Sequence, residues 1–190
     1  MLADTEPVHF ACWREILRPF GIELDWETYR HRGIGRPDLA LLESLGASAD
    51  PPAGLDVLAP MLPDKRERFV ELALRNQPLS PAIIEFIKSM YNYKLAIVTS
   101  SDRSEIEPLL AAAGVRGCFD ALVCGREAPR PKPAPDPYLL AAELLRSRRP
   151  LVVEDSEAGV ASATGAGFEV VRVASVRETP AAVLAAVDSY

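Results

Sequence analysis

Leu151-Val152-Val153-Glu154-Asp155-Ser156 is the stretch on which the reading of this chain turns. Its apolar half is short and continuous rather than alternating, which predicts a strand buried on both faces. It stops at two adjacent acids, and Asp155 or Ser156 can cap a helix that opens with Glu157-Ala158-Gly159-Val160. On the N-terminal side, residues 136–145 have helical patterning. They follow Pro131-Lys132-Pro133-Ala134-Pro135-Asp136, a stiff loop carrying one cation. Farther out, Leu95-Ala96-Ile97-Val98 predicts another strand, as do residues 119–123 and 168–173. Helices over 81–90, up to Gly114 and up to about Gly165 stand between them.

Short apolar strands separated by helices imply an α/β fold, with a Rossmann-like parallel sheet covered on both faces. Ligands of such sheets gather outside the carboxyl ends of the strands. Thr99-Ser100-Ser101 and Glu154-Asp155 stand at two such ends, and Lys132 follows a third. The Thr99 hydroxyl and the N–H groups after it suit an anion, although Thr99 equally suits a cap for the helix beginning near Asp102. Lys132, held between prolines, can be aimed at little ordering cost. The two acids repel each other unless a cation or a donor relieves them, and Mg²⁺ takes one or two carboxylates, waters and a substrate phosphate.

The first part of the chain reads as helices only. Asp4-Thr5 suits a cap ahead of Glu6-Pro7, and Phe10, Trp13, Leu17 and Phe20 recur at helical spacing up to Gly21. Further helices are predicted from Trp26, over 37–45 with Gly46 as the stop, and over 64–75. Gln77-Pro78-Leu79-Ser80-Pro81 reads as a hinge.

Composition bounds the rest. The 190 residues are 48% apolar and 25% charged, with a formal charge of -6 and no basic block, which argues against nucleic acid as a partner. Cys12, Cys118 and Cys124 have neither disulfide nor metal spacing, and no stretch has the length and apolarity of a membrane span. The cytoplasm is the expected compartment.

The motifs now support a resemblance. Residues 95–101, Lys132-Pro133-Ala134-Pro135-Asp136-Pro137-Tyr138 and Val153-Glu154-Asp155-Ser156-Glu157-Ala158-Gly159 resemble, in order and spacing, motifs two, three and four of the haloacid dehalogenase-like hydrolases. The likeness is to the subgroup of beta-phosphoglucomutase and phosphoglycolate-phosphatase-like enzymes. It implies Mg²⁺-dependent phosphoryl transfer on a small phosphorylated metabolite. Thr99 and Lys132 would hold phosphate oxygens, with Ser100 and Ser101 beside them. Asp155 would be the principal metal ligand, and Glu154 a ligand or its support. It also implies a division into residues 1–6 of the core, an inserted helical cap over 7–77 and a core over 78–190. In the cap, His31-Arg32-Gly33-Ile34-Gly35-Arg36-Pro37-Asp38 resembles the loop that faces substrate. Arg36, Lys65 and His9 become candidate substrate-binding residues there, and a solvated helix face is the competing reading of each.

The same resemblance places the family's first motif, with the nucleophilic and acid/base aspartates, just before Leu2-Ala3-Asp4. Its strand would lie between those ending at Thr99 and Val153. The 190 residues are therefore expected to be inactive or nearly so, to bind Mg²⁺ weakly, and to expose strand edges open to self-association. The alternatives are a non-catalytic phospholigand-binding protein, or a sugar-phosphate mutase in a chain that carries the first motif.

Overall fold

The computed structural model describes residues 2–77 and 79–187, so Pro78 of the expected hinge lies outside the described residues. The chain divides into two compact units, Thr5–Gln77 and the remainder.

The first unit is helical: α1 (Glu6–Leu17), α2 (Trp26–Arg32), α3 (Asp38–Ala47), α4 (Leu55–Leu58) and α5 (Leu62–Asn76). Their apolar faces meet in a core of Trp13, Leu17, Tyr29, Leu42 and Leu58. Each such side chain, once buried, contributes about 1.5–3 kcal/mol. Two local expectations change. Thr5 stands at the head of α1 with helical backbone angles and no side-chain cap, so the expected Asp4-Thr5 cap does not form. Gly46 does not stop α3; it lies inside the helix, where a Cβ would run into the carbonyl oxygen of Ala53. Its role is close packing of the 50–54 loop rather than termination.

The second unit alternates helix and strand: α6 (Pro81–Ser89), β1 (Ala96–Thr99), α7 (Arg103–Ala112), β2 (Ala121–Cys124), α8 (Asp136–Leu145), β3 (Leu151–Glu154), α9 (Glu157–Gly165), β4 (Glu169–Arg172) and α10 (Thr179–Val187). Ser80 caps α6 through the Ile83 N–H, with Pro81 at the first helical position. Asp102 and Glu105 form a reciprocal capping box on α7. Both β1 with β2 and β3 with β4 pair in parallel, Thr99 opposite Cys124 and Glu154 opposite Arg172.

The described residues form two parallel two-stranded ladders, in keeping with a Rossmann-like parallel sheet whose strand between those ending at Thr99 and Val153 was expected to be missing. Side chains, not backbone pairing, link β1 and β3 among the described residues. Val98 packs with Tyr138 and Val152 in one apolar cluster, and the Lys132 side chain reaches from the β3 terminus to the Val98 carbonyl.

Candidate functional site

The loop before α8 is anchored at three points. Arg130 donates two hydrogen bonds to Asp136, at 3.0 and 2.8 Å. The Ala134 N–H donates to the Pro131 carbonyl at 3.0 Å, and the buried Ser162 hydroxyl of α9 donates to the Ala134 carbonyl at 2.5 Å. The Lys132–Pro133 peptide is cis. So held, Lys132 sends its ammonium inward, with donors to the Val98 carbonyl (3.1 Å), the Tyr138 hydroxyl (3.2 Å) and Oε1 of Glu154. The Lys132 and Glu154 side chains are only 8% and 7% exposed, which makes this a desolvated ion pair.

Glu154 is saturated with donors. The Tyr138 hydroxyl donates to Oε1 at 2.6 Å, while Oε2 accepts from the N–H groups of Asp155 (3.0 Å) and Ser156 (3.2 Å) and from the Ser156 hydroxyl (3.0 Å). Burial works against its charge. The Lys132 ammonium beside it, with Tyr138 and Ser156, outweighs burial and brings the carboxyl down to about 2. Tyr138 is pushed the other way, its phenol raised by burial and by the Glu154 charge. The repulsion expected between the paired acids is thus relieved by a lysine and a turn of backbone donors. Ser156, rather than Asp155, caps α9 by accepting from the Gly159 N–H at 3.0 Å.

Asp155 is exposed, and it lines an open pocket with Arg172, Val173, Ala174 and Glu178. At the end of β1, Thr99 Oγ1 accepts from the Ser101 N–H at 3.1 Å, so Thr99 shapes its own turn while Asp102 caps α7. Ser100 is exposed and Ser101 half-buried. Among the described residues no three His, Cys, Asp or Glu side chains come together as a metal site. Of the two acids expected at a metal, Glu154 is committed to the Lys132 cluster and Asp155 keeps an exposed carboxylate, which can serve as one of the one or two that Mg²⁺ takes beside waters and a substrate phosphate.

Three candidates belong to the helical unit. Arg36 is exposed in the loop between α2 and α3. Lys65 is fully buried, which overturns the solvated-face reading. Its ammonium donates to His9 Nδ1 at 3.1 Å and to Asp38 at 3.3 Å, and lies 5.2 Å from the Trp13 ring centroid. His9 is stacked on Phe69 with centroids 3.9 Å apart; burial, and then the Lys65 charge, hold its pKa well below the usual 6.5. A neutral ring accepting at Nδ1 carries its proton on Nε2.

Sequence reasoning passed over Tyr138. It lies in a quoted motif but receives no role there, although a buried tyrosine calls for a partner at its hydroxyl.

The order of these elements and motifs has a counterpart in known proteins. The profile of the haloacid dehalogenase-like hydrolases matches residues 1–173. The chain belongs to that family. Within it, the chain is 30% identical to the fructose-1-phosphate phosphatase YqaB of Escherichia coli, over 90% of each chain. It is likewise 30% identical to a phosphorylated carbohydrates phosphatase of Thermotoga maritima, over 89% of this chain and 78% of that one. In structure it is similar to a variant of CbbY from Rhodobacter sphaeroides in complex with xylulose-1,5-bisphosphate. The TM-score is 0.79 and the identity 29%, over 89% of this chain and 80% of that one. Sugar-phosphate phosphatases are thus among this hydrolase's relatives.

Proposed function

We propose that this hydrolase-family chain binds the phosphoryl group of a small phosphorylated sugar at Thr99 and Lys132, and turns it over slowly or not at all. One observation carries the reading: a desolvated ammonium is aimed by an anchored loop at the ends of β1 and β3. A cation in low dielectric attracts an oxyanion far more strongly than one in water. The Thr99 hydroxyl and the turn through Ser100 and Ser101 supply neutral donors on the neighbouring strand end. The relatives that act on sugar phosphates favour that substrate class. Arg36, exposed in a loop of the helical unit, is the group we assign to anion binding within that unit, where the buried His9 and Lys65 support the helices around it.

Slow turnover follows from the carboxylates described. Glu154 is bound on both oxygens and cannot attack phosphorus, which leaves Asp155 as the one of the two paired acids that can offer a carboxylate to a hard cation such as Mg²⁺. Weak Mg²⁺ binding through Asp155 is the expectation, with the cytoplasm as the compartment.

Calorimetry with phosphate and sugar phosphates, beside hydrolysis of p-nitrophenyl phosphate with Mg²⁺, tests both halves. Binding lost in Lys132→Ala with turnover near background is the expected pair of results. Binding indifferent to Lys132→Ala would overturn the site. Robust turnover that disappears in Asp155→Ala would overturn the inactivity.

A second, non-catalytic reading has an observation of its own. Among the described residues β1 and β3 are each paired along one edge only, which suits recruitment of another chain, a second copy included. Light scattering decides it: a monomer at all concentrations removes self-association.

A further inference from the structure

Lys132 has three N–H donors and, as described, three acceptors: the Val98 carbonyl, the Tyr138 hydroxyl and Glu154 Oε1. An oxyanion can bind the ammonium only if one of these is given up. The geometry points to the Tyr138 hydroxyl as that displaceable partner, a positioning group that holds the third N–H of Lys132 until an oxyanion takes it.

The three acceptors are not equivalent. The Val98 carbonyl is part of β1 and cannot turn away. Glu154 carries a full charge, and its other oxygen is fixed by the Asp155 and Ser156 donors. The Tyr138 hydroxyl is neutral and the most distant of the three, at 3.2 Å. It also keeps its own acceptor, Glu154 Oε1 at 2.6 Å, when Lys132 leaves. Losing this contact therefore strands no donor on the tyrosine, and the ammonium exchanges a neutral acceptor for a charged one. The ring remains behind the ammonium, 4.9 Å from centroid to Nζ, and keeps its face to the cation.

The inference rests on Lys132 as the anion's ligand and predicts a direction that simple structural support would not. Tyr138→Phe keeps the ring and removes the hydroxyl, leaving the third N–H of Lys132 unmatched until an anion arrives. Inorganic phosphate titrated into the wild-type, Tyr138→Phe and Lys132→Ala chains should bind about three- to tenfold tighter to the phenylalanine variant, as the loss of one competing hydrogen bond implies. It should bind the alanine variant not at all. The melting temperature of Tyr138→Phe should fall at the same time. A structural residue would move affinity and stability together, so opposite signs support the inference. Equal or weaker phosphate affinity in a folded Tyr138→Phe chain overturns it and leaves Lys132 as the anion's ligand. No Lys132-dependent binding in either the wild-type or the phenylalanine chain overturns both. Should the variant not fold, the wild-type protein decides: saturating phosphate should shift the Tyr138 ring ¹³Cζ resonance, and an unchanged resonance rejects the exchange of partners.

Discussion

Gly159 lies so close to the Glu154 side chain that a Cβ on the glycine would overlap the carboxylate itself. The glycine also donates its N–H to Ser156 Oγ, whose hydroxyl in turn donates to Glu154. The first turn of α9 and the ion pair therefore occupy one tightly shared volume.

Gly159→Ala should accordingly destabilise the protein by about 1–3 kcal/mol, the usual cost of overpacking a filled site. Urea unfolding measures it. Phosphate affinity should fall in the same variant, because displacing Glu154 moves the ammonium it holds. A variant as stable as the wild type would mean that the carboxylate has room to retreat.

Glu154→Ala should cost more, about 3–5 kcal/mol, because it leaves the Lys132 ammonium buried without its counter-charge. The double change Lys132→Met with Glu154→Leu should recover part of that loss, since no buried charge then remains while the Tyr138 hydroxyl and the Asp155 and Ser156 N–H groups still lack their acceptor. A double-mutant cycle in urea shows whether the two costs fail to add.

Acid should weaken the same pair in a defined window. The Glu154 carboxyl falls from an ordinary 4.5 unfolded to about 2 folded. The stability it contributes is complete above about 4.5 and is lost as pH falls from there through about 2. Wild type and the Lys132→Met, Glu154→Leu pair should therefore converge in stability at the acid end of a pH series.

His9 sets a second window at higher pH. Its folded pKa lies well below 6.5, so the unfolded chain takes up the proton first. Stability is greatest above about 6.5 and declines as pH falls below it, by at most about 1.4 kcal/mol per unit. Comparing wild type with His9→Gln between pH 5 and 8 isolates the contribution; the glutamine variant should be flat across that range.

How far the sequence revealed these features follows from how local each one is. β1 to β4 lie within one or two residues of their apolar runs, although of the four it is β2 that is buried along its whole length, while β1 is half-buried, β3 alternates and β4 is exposed at both ends. The Lys132 loop and the Glu154-Asp155 turn were legible because each is contiguous. Gly46 was not, since its reason is the backbone of Ala53, seven residues away and invisible to a helix pattern. Lys65 reads as a surface residue in any window of α5; burial comes from His9 and Asp38 on other helices. Helix α10 carried no expectation, because its run of alanine and valine has no polar face to betray a helical period. The partnership of Tyr138 with Glu154 spans sixteen residues and depends on α8, packed on β1 and β2, bringing Tyr138 to the end of β3, which no local pattern contains.

The reach of Lys132 from the β3 terminus to the Val98 carbonyl has a mechanical consequence. Among the described residues the two ladders share no backbone hydrogen bonds, and this ammonium joins them together with the packing of Val98 on Tyr138 and Val152. A ligand bound at this nitrogen should therefore also be felt at the joint between β1 and β3. Amide exchange along Ala96–Thr99 should then read out phosphate concentration, although none of those amides touches the phosphate.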